Sequence, residues 1–482
     1  MKKNILYILL LFLLLTNSGC EKFIEVGNSD VLLPKSDVFK ADATAISALT
    51  SIYSQMQGMS NPYIGELPYR ISFWTGIAGD ELKNFSTAYS DIAKNTLLSE
   101  TSPTNALWNQ SFSFIFQANA VYEGCDASNT LTSTVKSQLM GEARFIRAFW
   151  NFYLVNFYGQ IPLVVNTNYS ENAIKPRSSI SEIYELIVSD LNYAKSHLNQ
   201  NYVALNSSSP STDRVRPNKT VASTLLAKVY LFNKRYDLAE QEANYVISNF
   251  SDYKLESIDK VFLTASKESI WQLSFPTPTN DRNSWEAYYY VLTGKPSSGI
   301  NNSTSLSDAL LSCFQKSDIR FVNWISKAID KNVIPNVEYY YPSKYKVLSA
   351  TSITERSTVF RLAEVLLTRA EARAHQNNIP GAIDDIDLIR DRAKIPLIKL
   401  VSQGISKSAV LDSIVGERQR ELFTEWGNRW FDLKRLGKVD EVMTVVAPLK
   451  GSTWDGHQQL WPIPFVETQR NKNLIPNNPG YN

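Results

Sequence analysis

The stretch Leu139 to Val164, LMGEARFIRAFWNFYLVNFYGQIPLV, constrains the fold of this chain more than any other. Leu139, Ala143, Ile146, Trp150, Tyr153 and Phe157 recur at helical spacing, so one face stays apolar for about five turns. Gly159 stands just past the last of them, where a left-handed residue closes a helix at least cost, and Pro162 cannot continue one. The spacing predicts a single long buried helix that stops at Gly159 and leaves as an extended segment over 161–165.

The helical period recurs in pairs further along. Ala227 and Tyr230 fall on one helix and Ala239, Ala243 and Val246 on the next, with Lys234-Arg235-Tyr236-Asp237 between them. Ala370 and Ala382 repeat the offset of Ala227 and Ala239 around a break at Asn377-Asn378-Ile379-Pro380-Gly381, with Arg373 where the first pair has Tyr230. Small residues at matched positions let two helices approach closely, as in tetratricopeptide hairpins. Further helices are expected over 42–56, 104–124, 181–198 and 413–436. Two regions break the pattern, 62–90 and 275–342, both rich in Gly, Ser, Asn, Pro and aromatic residues. They read as long ordered loops, and ordering such excursions costs entropy that a function must offset. The expected fold is mainly all-α: a tetratricopeptide-like helical-repeat scaffold whose irregular insertions form the ligand-binding face.

The N-terminus carries its own signal. Lys2 and Lys3 precede an apolar run from Ile5 to Leu15, too short to span a bilayer, and Ser18-Gly19-Cys20 follows. This looks like the export signal and cleavage site of a bacterial lipoprotein, with Cys20 as the acylated first residue of the mature chain. One acyl chain holds a protein only marginally, at ~0.8 kcal/mol per buried methylene, whereas bacterial lipoproteins carry two or three. With 482 residues and 44% hydrophobic content, the remainder can bury a large core without a spanning segment. Loss of the leader removes two lysines and no acid, leaving 47 basic and 47 acidic residues, a neutral balance that gives no reason to expect a nucleic-acid partner. Cys125 and Cys313 are too few for a disulfide-built fold, and the sequence leaves open whether they pair.

Several motifs in order resemble the SusD/RagB family of nutrient-capturing surface lipoproteins. They are Gly141-Glu142-Ala143-Arg144-Phe145-Ile146-Arg147 with Tyr158-Gly159-Gln160-Ile161-Pro162, Arg216-Pro217-Asn218-Lys219, and Arg361-Leu362-Ala363-Glu364 leading into Ala370-Glu371-Ala372. Glu417-Arg418-Gln419-Arg420-Glu421-Leu422, Gly427-Asn428-Arg429-Trp430-Phe431-Asp432 and Leu460-Trp461-Pro462-Ile463-Pro464 complete the match. The resemblance implies a lipid-anchored, surface-exposed protein of the outer membrane. It would bind oligosaccharides and deliver them to a TonB-dependent, SusC-like transporter, capping the barrel; relatives in the RagB branch capture peptides instead. The expected organisation is a leader over 1–19 and one body over 20–482. Within that body lie a tether (20–40), an N-terminal helical half (41–250), a loop-rich ligand region (251–360) and a C-terminal helical half (361–482).

The charged motifs themselves read as structure. Glu417, Arg418, Glu421, Arg429 and Asp432 alternate in sign at helical spacings beside Trp426 and Trp430, as an ion-pair network fixing helix ends would. Arg144 and Arg147 with Glu142, and the run Asp384, Asp385 and Asp387, read likewise; no metal or other cofactor is expected. Sugar capture needs different groups. A sugar ring offers a C–H face to aromatic rings and a rim of hydroxyls to Asp, Asn, Arg or Gln. The irregular regions supply Trp74 with Arg70, Asp80 and Glu81, and Trp285, Tyr288, Tyr289, Tyr290 and Trp324 with Asn280, Asp281 and Arg282. From these, Trp74, Arg70, Asp80, Trp285, Tyr288, Tyr289 and Trp324 are the expected ligand contacts. An enzyme reading, as a surface glycoside hydrolase, finds no support: His197, His375 and His457 lie far apart, no nucleophile elbow occurs, and adjacent Asp80 and Glu81 on an extended chain would point apart.

Overall fold

The computed structural model describes residues 35–58, 67–248, 252–275, 282–401 and 404–481. The leader, Cys20, most of the tether, Asn280 and Asp281 lie outside them.

Helices α1 (Asp42–Met56), α2 (Leu67–Ala78) and α3 (Ser102–Ala127) lead into α4 (Ser133–Tyr158), the long helix expected from the sequence. It is buried on every side, not along one face. Between Gln138 and Tyr158 only Arg144 and Asn156 reach solvent. Helices α1, α3, α5 (Ile180–His197) and α6 (Lys219–Phe232) pack around it. Gly159 ends it with φ +70°, and a Cβ there would meet Leu460 at 3.2 Å. Phe149 closes the far side, edge-on to Trp271 at 5.3 Å and to Trp426 at 5.5 Å.

Helices α6 and α7 (Tyr236–Ser248) form the first expected hairpin. Beyond a short helix α8 (Trp285–Tyr290), α9 (Leu362–His375) and α10 (Ile379–Arg392) form the second. Ala227, Ala239, Ala370 and Ala382 are fully buried at the crossings. Both hairpins turn on the same device. Lys234 and Asn377 adopt φ of +57° and +66°, and the next amide donates back to the last turn, Arg235 to Tyr230 O and Asn378 to Arg373 O, each at 2.9 Å. The hairpins interlock: Arg373 reaches Glu240 at 2.9 Å, and Tyr236 stacks on His375 with centroids 4.0 Å apart. The scaffold is therefore an all-α, tetratricopeptide-like array.

Two expectations need correction. The helix expected over 413–436 is two, α11 (Lys407–Leu422) and α12 (Asn428–Arg435), followed by α13 (Val439–Leu449). Thr424, Trp426 and Gly427 between them all have positive φ, of +53°, +49° and +72°. Tertiary contacts hold the bulky Trp426 there: its amide donates to Ser72 Oγ at 2.8 Å and its indole N–H to Thr358 O at 3.1 Å. The irregular regions also contain regular elements. β1 (Leu82–Asn84) pairs antiparallel with β3 (Thr304–Leu306), β2 (Ser269–Leu273) with β6 (Ser357–Arg361), and β4 (Ile325–Asp330) with β5 (Val337–Pro342). Cys125 and Cys313 are both free thiols.

Candidate functional site

The two insertions, distant in sequence, meet along one seam. Leu82 pairs with Leu306 and Asn84 with Thr304, and past the strand end Phe85 and Thr87 donate amide hydrogens to Ser303 O and Ser298 O. β5 lies beside β3 and brings Tyr339 edge-on to Phe85, centroids 5.6 Å apart. A row of rings crosses the seam from the other side: Tyr288 on Tyr289, Tyr289 stacked on Tyr69 at 4.2 Å, Tyr69 on Phe73, and Phe73 on Tyr89.

Most of the expected ligand contacts are core residues. Trp74 is 1% exposed and packs on Trp461, with the Arg70 guanidinium 5.6 Å from its ring. Trp324 is equally buried and donates its N–H to Ile258 O at 2.9 Å. Trp285, on α8, gives its N–H to Gln57 O at 2.6 Å, and Tyr289 is enclosed beside it. Asp80 accepts three hydrogen bonds from Arg429, the shortest 2.6 Å. Large rings with satisfied or enclosed polar ends belong to the core, so Trp74, Trp285, Tyr289, Trp324 and Asp80 are corrected to structural roles. Arg70 and Tyr288 are half-buried. Tyr288 carries the Arg282 guanidinium 3.7 Å above its ring.

Beside the seam lies a cleft of about 640 Å³. Ile77, Leu82, Ala93, Val446 and Leu449 give it apolar walls; Phe85, Asn84, Ser86 and Thr87 come from the first insertion and Asp308 from the second. Lys83, at its rim, pairs with Asp308 at 2.7 Å. Lys450 closes the carbonyl end of α2, donating to Ile77 O at 2.6 Å, Ala78 O at 2.9 Å and Gly79 O. Desolvation lowers its ammonium to about 7. Behind the cleft, burial first and the neighbouring Asp80 second push Glu81 up to about 8, so it stands protonated at neutral pH.

The charged C-terminal motif is structural: it keeps helical-spacing pairs, Glu417 with Arg420 and Asp432 with Arg435, and adds partners from distant segments. Glu421 accepts from Arg320 at 2.8 Å, Arg361 at 2.5 Å and Arg392. Glu417 pairs with Arg320 and Arg390, and Asp432 with Arg418 and Arg435. The α4 charges do the same: Arg144 and Arg147 grip Asp190, and Glu142 takes Arg216 at 2.6 Å. Asp385 pairs with Arg369 and Arg373, while Asp387 accepts the amides of Ile398 and Lys399.

Phe85, Tyr339, Lys94 and Lys450 were not among the sequence candidates. The β-propensity of Val337-Glu338-Tyr339-Tyr340-Tyr341 was a usable signal: in a strand, Tyr339 and Tyr341 share one face. No local pattern marked the lysines, because the cleft exists only where α2, α13 and two insertions converge.

The fold is that of a helical-repeat protein whose two inserted segments are joined along one seam beside a cleft. Sequence comparison matches residues 317–481 to the SusD family and residues 32–231 to a SusD-like family described as starch-binding and associating with the outer membrane. A SusD-like protein of Formosa agariphila is 26% identical across 97% of this chain and 98% of its own length. The fold is shared by a SusD homolog of Bacteroides thetaiotaomicron, with TM-score 0.78, 19% identity and coverage of 94% of this chain and 99% of that one. It is shared also by surface glycan-binding protein A of Bacteroides fluxus, with TM-score 0.72, 20% identity and coverage of 91% and 99%. The chain belongs to the SusD/RagB family. None of its described helices is long and apolar enough to cross a membrane.

Proposed function

We propose that this protein is a cell-surface lipoprotein that binds oligosaccharides in the seam between its two insertions and delivers them to a partner TonB-dependent transporter. The observation that carries the reading is the β1–β3 pairing, which joins segments more than 200 residues apart beside an apolar cleft and half-exposed rings, Phe85 and Tyr339. Such a surface suits a ligand with flat C–H faces and a hydroxyl rim. The family membership and a glycan-binding structural neighbour support the same class of ligand. The domain organisation from the sequence fits it, with the ligand face contributed by both 62–90 and 251–360. No catalytic role is proposed, since Asp80 is spent on Arg429 and Glu81 faces the Thr424 amide.

Attachment is proposed through acyl chains on Cys20, so Cys20→Ser should release the protein from the membrane fraction. Calorimetry of the mature chain, Cys20 onward in detergent, against plant, host and microbial oligosaccharides tests the binding. Saturable sugar binding weakened by Phe85→Ala or Tyr339→Ala supports the reading. Binding of short peptides with every sugar inert overturns it in favour of peptide capture.

A further inference from the structure

The charges around the cleft do not balance. Its lining carries Lys83, Lys94 and Lys450 against Asp80 and Asp308. Both acids are already held, Asp80 by Arg429 at 2.6 Å and Asp308 by Lys83 at 2.7 Å. Among the described residues, the Lys94 ammonium has no acidic partner and stands exposed at the cleft. Lys450 hydrogen-bonds three backbone carbonyls and no carboxylate, and the acid that acts on it through space, Asp80, is itself held by Arg429. Two lysines with no carboxylate in contact therefore flank apolar walls formed by Ile77, Leu82, Val446 and Leu449, with Lys94 exposed and Lys450 half-buried.

Resting on the proposed glycan capture, we infer that this cleft takes an acidic saccharide: the exposed, acid-free Lys94 contacts its carboxylate or sulfate, and Lys450 lines the same cleft as a second lysine with no carboxylate in contact. The apolar walls and Phe85 face the C–H side of the same sugar. A neutral glycan would use those walls but leave both ammoniums unmatched, whereas an anionic group gains a charge-assisted hydrogen bond at Lys94. Burial holds the Lys450 ammonium down to about 7 against the opposing pull of Asp80, so an anion bound in the cleft would favour its charged form. The Lys83–Asp308 pair, exposed at the rim, contributes little by itself and can exchange Asp308 for a ligand anion.

The test is calorimetry of the mature chain with matched probes: an oligogalacturonate tetrasaccharide and its carboxyl-reduced counterpart, and a sulfated galactan tetrasaccharide and its desulfated counterpart. An acidic member should bind about tenfold tighter than its neutral partner, an advantage that shrinks at high salt. Lys94→Gln, at an exposed position that spares the fold, should erase most of that ratio, whereas Phe85→Ala should weaken both members of a pair alike. The carboxylate and sulfate arms identify which anion is read. If neutral members bind as tightly as acidic ones, or if the acidic preference survives Lys94→Gln, the inference fails while glycan capture stands. If no saccharide of either kind binds, glycan capture fails with it.

Discussion

Trp285 and Phe85 make a decisive pair, because a sequence reading treats Trp285 as a ligand contact and the structure treats it as core. Trp285 packs against Phe275 and Tyr289, with centroids 5.8 Å from each, and satisfies Gln57 O. Trp285→Ala removes a buried indole, costing about 3–5 kcal/mol. It also strands a buried carbonyl, for roughly 1 kcal/mol more once water entering the cavity has recovered part of that loss. Against a total stability of about 5–15 kcal/mol, that is a large fraction. Phe85 is half-buried and meets Tyr339 edge-on, a contact worth about 1 kcal/mol. A sugar stacked on its ring buries roughly 40 Å², also ~1 kcal/mol, so Phe85→Ala should weaken binding about fivefold while costing stability only about the 1 kcal/mol of the Tyr339 contact. Urea denaturation followed by tryptophan fluorescence reads the first quantity, and calorimetry with a bound oligosaccharide reads the second. The reasoning is refuted if Trp285→Ala leaves the urea midpoint in place and abolishes binding, because the indole would then face the ligand.

Three further outcomes follow from the same structure. Glu421→Gln leaves Arg320, Arg361 and Arg392 without their shared carboxylate and should destabilise the fold by about 3–5 kcal/mol, seen as a lowered melting temperature with ligand affinity of the folded protein unchanged. Gly159→Ala forces a side chain into a positive-φ conformation against Leu460 and should cost on the order of 2 kcal/mol in urea denaturation; a neutral result would mean that α4 can end otherwise. Folded Glu81 keeps its proton up to about pH 8, while the unfolded chain releases it near 4.5, so its contribution is present at acid pH and lost as pH rises through 8. Glu81→Gln mimics the protonated form and should stabilise at pH 8 by on the order of 4 kcal/mol, with the gain fading toward pH 4.5; a pH-independent difference counts against a buried neutral carboxyl.

The scaffold was legible because its constraints are local. The Gly159 stop, the alanine offsets and the α1 boundaries were each visible within a dozen residues, and the structure places them as expected. What escaped was set from a distance. The break at 423–427 depends on Ser72 and Thr358 holding Trp426 in a conformation that its own side chain disfavours, and neither lies near it in sequence. The hairpin turns at Lys234 and Asn377 were legible in position but not in conformation, since lysine and asparagine occupy left-handed positions where glycine is the usual signal.

The site was less legible for a physical reason that bears on its use. Aromatic content marks an insertion but does not distinguish a ring that anchors it from one that faces a ligand. Here the larger rings anchor: Trp74, Trp285 and Trp324 have the area to fix short elements on the helical array and N–H groups that two of them spend on backbone carbonyls. The smaller Phe85 and Tyr339 are left at the seam, where two-residue contacts across β1, β3 and β5 set their spacing. The proposed binding face would thus rest on insertions anchored by buried tryptophans, and could change its outer rings and lysines at little cost to the fold. Ligand preference should therefore move with substitutions at Phe85, Lys94 and Tyr339, while substitutions at the buried tryptophans change how much folded protein there is.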